Sequence, residues 1–182
     1  MHYALGDYVL DIAQNAVEAG STEVRIDFDE TDDETSAVID DNGCGMGDEE
    51  LARALDPFYS DGKKHAARRV GLGLPFLKQA TEQANGEFSI VSEKGKGTRV
   101  AFSFPKDNVD TPPLEDIPGL FLSLLCLPGE HELLIRRSRE GGGRLLRYEL
   151  SRRALSEAAG GLERGDSLSL LRKYLASQEE DD

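Results

Sequence analysis

Asp11 and Asn15 stand four residues apart in a run whose apolar members, Val9, Leu10, Ile12, Ala13, Ala16 and Val17, cover one broad side. That spacing puts a carboxylate and a carboxamide one helical turn apart on one stripe, with Glu18 continuing it. Such a pair suits a metal beside a phosphate. The amide oxygen is a hard ligand for Mg²⁺, which keeps several waters of its own. A neighbouring carboxylate can orient or deprotonate a water or hydroxyl. A polar stripe is also the ordinary outer face of an amphipathic helix, so the pair takes its meaning from what the rest of the chain brings to it.

A second carboxylate, Asp41, follows the β-branched run 37–40 and precedes Asn42-Gly43-Cys44-Gly45-Met46. An acceptor fixed at a strand end can take a hydrogen bond from an exocyclic amine such as that of adenine. Glycines beside it let backbone approach a flat ligand. By itself Asp-Asn-Gly is also plain turn chemistry. Further on, Val70-Gly71-Leu72-Gly73-Leu74-Pro75 leads into an apolar run. Proline fits only the first helical turn, so a helix starts near Gly73, and its free N–H groups with two glycines form a phosphate cradle. It lacks the Gly-Lys-Ser/Thr of a Walker loop. Between these segments, residues 56–69 carry Lys63, Lys64, His65, Arg68 and Arg69, a dense positive cluster in an acidic chain. A loop of that length suggests a lid over phosphates, rooted at Phe58. Thr98 opens a strand after Gly95-Lys96-Gly97 with a hydroxyl on the Asp41 side.

The elements that must hold these residues follow from periodicity. Residues 3–19 predict a helix, ended by Gly20. Val24, Ile26 and Phe28 alternate with charges, as a half-buried strand does, and 36–40 pair with it as a hairpin. Asp48 is placed to cap a short helix to residue 55. A helix over 73–84 closes at Asn85-Gly86, and strands 87–92 and 98–104 flank the Gly95–Gly97 turn. Residues 106–113 read as a linker. Beyond it, 114–177 read as a small α+β unit: an apolar helix, strands 131–139 and 144–150, a helix capped by Ser151, and a helix over 168–176. The acidic tail 178–182 reads as disordered.

Composition bounds the function. The chain has 182 residues and a formal net charge of -14. That field repels nucleic-acid backbones and anionic lipid, and any nucleotide polyphosphate must be held by local cations or a metal. Two cysteines, Cys44 and Cys126, suit a reduced, cytoplasmic setting. No basic-then-apolar leader opens the chain, and the apolar stretch 117–127 is too short to span a bilayer.

Taken in order, Asp11-x-x-x-Asn15, Asp41-x-Gly43-x-Gly45-Met46, Asp56-Pro57-Phe58, Gly71-Leu72-Gly73-Leu74 and Gly95-x-Gly97-Thr98 resemble the N, G1, F, G2 and G3 boxes of the GHKL superfamily, which joins gyrase, chaperone, histidine kinase and mismatch-repair ATPases. The resemblance covers residues 5–104. It implies a two-layer α/β sandwich of the Bergerat type with a mixed sheet, an ATP-binding domain over 1–105, and ATP with Mg²⁺ as ligands. By the same resemblance Asn15 holds Mg²⁺. Asp41 takes the adenine amine, Gly43, Gly45 and Met46 line the base, and Thr98 supports it. Gly71, Leu72, Gly73 and Leu74 meet the phosphates, with Phe58 and Lys63 in the lid. Asp11 stands where the family places its acid, usually Glu. Glu18 departs from the basic residue common in transmitter kinases. No dimerisation helix with a phosphoacceptor histidine precedes the first box, and His2, His65 and His131 read as surface or lid residues, so autophosphorylation is not expected. The expected activity is that of a kinase-like ATPase or a Ser/Thr kinase of the anti-sigma type, acting on a regulatory protein partner in a prokaryotic signalling context. The alternative is a non-catalytic nucleotide-sensing module that docks a partner. A DNA clamp is opposed by the charge.

Overall fold

A computed structural model describes residues 4–57, 73–162 and 164–180. In chain order the elements are α1 (Leu5–Glu18), β1 (Glu23–Glu30), β2 (Glu34–Asp41), α2 (Asp48–Ala54), α3 (Gly73–Gln83), β3 (Glu87–Glu93), β4 (Gly97–Pro105), α4 (Ile117–Leu125), β5 (Glu132–Gly141), β6 (Arg144–Ser151), α5 (Arg152–Ala159) and α6 (Gly165–Glu179). The strands form one sheet in the order β3-β4-β2-β1-β5-β6. Neighbours are antiparallel except β1 and β5, which run parallel. The architecture is therefore the expected α/β arrangement with a mixed sheet.

One face of the sheet takes the helices. Because side chains alternate along each strand, register turns sequence into rows across that face. Ile90, Val100, Ile39, Ile26, Ile135 and Leu150 form one row across all six strands. It is aliphatic throughout, and only Ile90, on the edge strand, is less than fully buried. Burial of each such side chain contributes roughly 1.5–3 kcal/mol. Leu5, Val9, Ile12, Ala13 and Ala16 of α1 and Phe121, Leu124 and Leu125 of α4 complete the core above it. The row toward one end of the strands contains Ser92, Thr98 and Asp41, and the row toward the other contains Arg137 and Tyr148.

The segment set apart by sequence as a small C-terminal unit shares this sheet and this core. β5 pairs with β1 from Glu23↔Glu132 to Glu30↔Arg139, and α4 packs against α1 and α6. The stretch 106–113 is tied down as well: Asn108 Nδ2 donates to the Ala84 carbonyl at 2.8 Å, and Leu5 N donates to the Pro113 carbonyl at 2.9 Å.

Three local expectations change. The α2 cap is Gly47 rather than Asp48, and Glu50 Oε2 accepts the Gly47 N–H at 3.1 Å. His131, the residue just before β5, is 7% exposed and not a surface residue. The acidic tail does not begin at Gln178: α6 runs to Glu179, whose carboxylate is drawn inward by the buried Arg137 guanidinium.

Candidate functional site

Three chain reversals meet at the Asp41 end of the sheet. α1 ends at Ala19-Gly20, and Ser21 turns the chain toward β1. Asn42, just past β2, locks that turn: its Oδ1 accepts the N–H groups of Thr22 (2.9 Å) and Glu23 (3.0 Å), and its Nδ2 donates to Thr22 Oγ1 at 2.9 Å. The loop after Asn42 then leans on the β3–β4 turn, where Gly95 N donates to the Cys44 carbonyl at 2.7 Å.

The glycines of this loop are accounted for by protein packing. A Cβ at Gly43 would fall 2.7 Å from Ser21 Oγ and 2.9 Å from Asp41 Oδ1. At Gly45, where φ is +58°, it would overlap the Glu93 carbonyl, and at Gly97, with φ of +108°, the Asp41 carbonyl. At Gly45 and Gly97 glycine lets backbone segments touch, and at Gly43 it leaves room for the Ser21 and Asp41 side chains.

The packing leaves a cavity of about 250 Å³ between α1 and the sheet. Asn15 and Ile12 of α1, Asp41, Gly45 and Met46 of the loop, Leu74 of α3, and Thr98 and Val100 of β4 line it, together with Cys44. Asn15, Asp41, Gly45, Met46, Leu74 and Thr98 thus converge from four separate segments. Gly43 is buried just behind Asp41 rather than on the wall. Gly73 opens α3 against Asp11: a Cβ there would overlap the Asp11 carboxylate. Asp11 therefore lies against the first described residue of α3. Phe58, Lys63, Gly71 and Leu72, with the lid they belong to, lie outside the described residues.

Asp41 is held rigidly. Its Oδ1 accepts from Gly43 N at 2.8 Å and from Ser21 Oγ at 3.1 Å. Burial pushes its carboxyl above the usual carboxylate range, while the Gly43 N–H, the Ser21 hydroxyl and Thr98 restrain the rise. Ser21 Oγ also lies 2.7 Å from the Ala16 carbonyl, so its one hydrogen is shared between two acceptors. On the far wall, Ser92 Oγ sits 2.8 Å from Thr98 Oγ1 and accepts the Met46 N–H at 2.8 Å. Sequence reasoning missed both serines. Counting register outward from the Gly95–Gly97 turn places Ser92 opposite Thr98 and would have found one of them.

The chemistry available is clear in outline. The cavity offers apolar walls for a flat ring, a fixed acceptor for an amine, and a carboxamide and a helix start for metal and phosphate. Among the described residues no group of three or more His, Cys, Asp or Glu side chains could hold a metal alone. A Mg²⁺ shared with nucleotide phosphates needs only one or two protein ligands, and the Asn15 amide on the cavity wall fits that demand. No helix among the described residues is long and apolar enough to cross a membrane.

A family model described as histidine kinase-, DNA gyrase B-, and HSP90-like ATPase matches residues 3–108. Among curated proteins, the chain is 29% identical to the sensor histidine kinase YxdK of Bacillus subtilis (strain 168) over 106 residues, 57% of this chain and 32% of that protein. It is 35% identical to the sensor protein SrrB of Staphylococcus aureus (strain NCTC 8325 / PS 47) over 103 residues, 54% of this chain and 17% of that protein. The chain thus spans a third or less of these relatives. Among solved structures, the N-terminal domain of a DNA repair protein aligns over 91% of this chain and 58% of its own, with a TM-score of 0.50 and 12% identity, a likeness of fold alone. The catalytic domain of the histidine kinase ThkA aligns over 55% of this chain and 64% of its own, with a TM-score of 0.42 and 19% identity.

Proposed function

The chain belongs to the histidine kinase-, DNA gyrase B-, and HSP90-like ATPase family, and from that premise we propose that it binds Mg-ATP in the cavity beside α1 and acts as a kinase-like ATPase on a regulatory protein partner. One observation supports this reading above the others: Asn15, Asp41, Met46, Leu74 and Thr98, distant in sequence, line a single cavity.

In this reading Ile12, Ala16, Met46 and Val100 enclose the base, and Asp41 accepts from its exocyclic amine, aided by Thr98. The start of α3, with Gly73 and Leu74, faces the phosphates, and Asn15 contributes its amide oxygen to Mg²⁺. Phe58, Lys63, Gly71 and Leu72 are assigned from sequence alone to the lid and to the phosphate loop. When bound, Mg²⁺ neutralises phosphate charge. Asp11, beside the first residue of α3, accepts the proton of the attacking water or of a partner's hydroxyl. The chain's contribution to rate is mainly position and charge. A regulatory role of the anti-sigma type, with transfer to a Ser or Thr of the partner, is the specific form we favour.

The test is Asp11→Asn, assayed for phosphate release and for γ-phosphate transfer alongside equilibrium ATP binding. We expect binding to persist and turnover to fall by roughly 100-fold or more. A wild-type protein that binds ATP but neither releases nor transfers its γ-phosphate would instead make the chain a nucleotide-sensing module, whose partner binding follows nucleotide in Asp11→Asn as in wild type.

A further inference from the structure

Ser92 has no part in that reading, yet three contacts converge on its hydroxyl. It stands on β3 opposite Thr98 of β4, which stands opposite Asp41 of β2, so the three share one row of the helix-facing side. Its Oγ accepts the Met46 N–H at 2.8 Å, lies 2.8 Å from Thr98 Oγ1, and lies 3.2 Å from the Gly97 carbonyl. Met46 and Thr98 are both cavity walls. One side chain therefore ties together opposite sides of the base site, one from the loop after β2 and one from β4.

The hydroxyl carries a single hydrogen, and this constrains Thr98. When Ser92 donates to the Gly97 carbonyl, Thr98 must donate to Ser92, and it offers the cavity lone pairs only. When Ser92 donates to Thr98, the Thr98 hydrogen is released toward the cavity. In both states the Met46 N–H keeps its acceptor. The direction of the Ser92 O–H bond thus decides whether Thr98 presents a donor or an acceptor, while Asp41, as a carboxylate, only accepts.

We propose that Ser92 is a positioning residue for nucleobase recognition, fixing the Met46 wall and setting the hydrogen-bonding sense of Thr98, while selection of the exocyclic amine is left to Asp41. This rests on the ATP reading above. Ser92 touches no reacting atom, and its influence is on affinity for the base.

The test uses the whole chain with two probes, ATP and purine riboside 5′-triphosphate, which lacks the exocyclic amine, each titrated at equilibrium. Ser92→Ala should weaken both by the same factor, about fivefold to tenfold, as expected for the loss of a shared hydrogen-bonding centre. Asp41→Asn should instead erase the preference for ATP over the purine analogue. Thr98→Val, close to isosteric, leaves the Met46 N–H its Ser92 acceptor, so it should weaken both probes by no more than Ser92→Ala does, and the double variant should be no weaker than Ser92→Ala alone. If Ser92→Ala fails to fold, Ser92→Cys, which keeps the size but hydrogen-bonds only weakly, takes its place in every arm. Ser92→Ala binding both probes within twofold of wild type, additive losses in the double variant, or loss of amine preference in Ser92→Ala would each overturn the assignment. A wild type that binds neither probe overturns the ATP reading itself.

Discussion

The helix-facing side of the sheet carries polar residues at two opposite corners, and the corners are built differently. At one, Ser92, Thr98 and Asp41 sit in a row beside an open cavity. At the other, Arg137 and Tyr148 sit in a row sealed by the end of α6. Arg137, with a side chain 1% exposed, pairs with Glu30 and Glu179, and its guanidinium lies 5.3 Å from the centre of the Phe28 ring. Burial alone would lower the Arg137 pKa and raise that of Glu30. The hydrogen bonds between them, with Lys106 also donating to Glu30, outweigh burial and favour both charged forms. Asp41 has no cationic partner among the described residues, and burial prevails there instead. A polar cluster that satisfies itself holds the fold together, whereas one left with unspent acceptor capacity beside a cavity is available to a ligand.

The largest expected effect tests the sealed corner. Arg137→Ala removes the buried cation shared by two inward-facing carboxylates, leaving Glu30 to Lys106 and Glu179 to the half-buried Arg139, and should destabilise the protein by about 3 kcal/mol, read from urea denaturation. Nucleotide affinity of the protein that remains folded should be unchanged. A loss under 1 kcal/mol, on the order of a surface pair, would remove the distinction between the corners. Asp41→Asn is the converse. ATP affinity should fall roughly 10- to 100-fold in a fluorescent-nucleotide titration, since a hydrogen bond to a charged acceptor is lost. Folding stability at neutral pH should hold or rise, because the folded state already disfavours the Asp41 charge. Unchanged affinity would refute its role at the open corner.

The smallest effect concerns His131, a buried polar group at neither corner. Neither of its ring nitrogens has a hydrogen-bond partner among the described residues. Burial, reinforced by Arg152, holds it below its ordinary value of 6.5, against the opposing pull of Glu132 and Glu130. The unfolded chain therefore takes up the proton first. The stability tied to neutral His131 is complete above about pH 6.5 and is lost as pH falls toward the folded-state value. Urea midpoints between pH 7.5 and pH 5 should show this decline, and His131→Leu should flatten it.

The open corner was largely legible in the sequence because its residues carry local signatures: glycines around Asp41, a helix start after Gly73, a turn before Thr98. Its serines were not, since Ser21 and Ser92 reach the site through register and chain reversal rather than through any motif. The sealed corner was illegible for a different reason. Arg137 occupies an inward position by simple alternation with Leu133 and Ile135, but a charge in that place reads as solvent-facing. Its partners, Glu30 and Glu179, lie 107 and 42 residues away. The parallel pairing of β5 with β1 has the same character. No local pattern announces which strand edge a later segment will join, so residues 114–177 read as a separate unit. The helices and hairpins emerged near their observed bounds because hydrophobic period and turn residues encode them locally.

The insertion of β1 between β2 and β5 has a consequence for biosynthesis. When residues 1–105 have left the ribosome, β1 is the outermost strand of an incomplete sheet, with Val24, Ile26 and Phe28 on its inward face and a bare row of backbone donors and acceptors along its rim. That rim stays open until residues 132–139 are made and thread alongside it. During this interval the nascent chain presents a template on which another nascent copy could pair. The rate at which residues 106–139 are translated therefore sets the time available for misassembly.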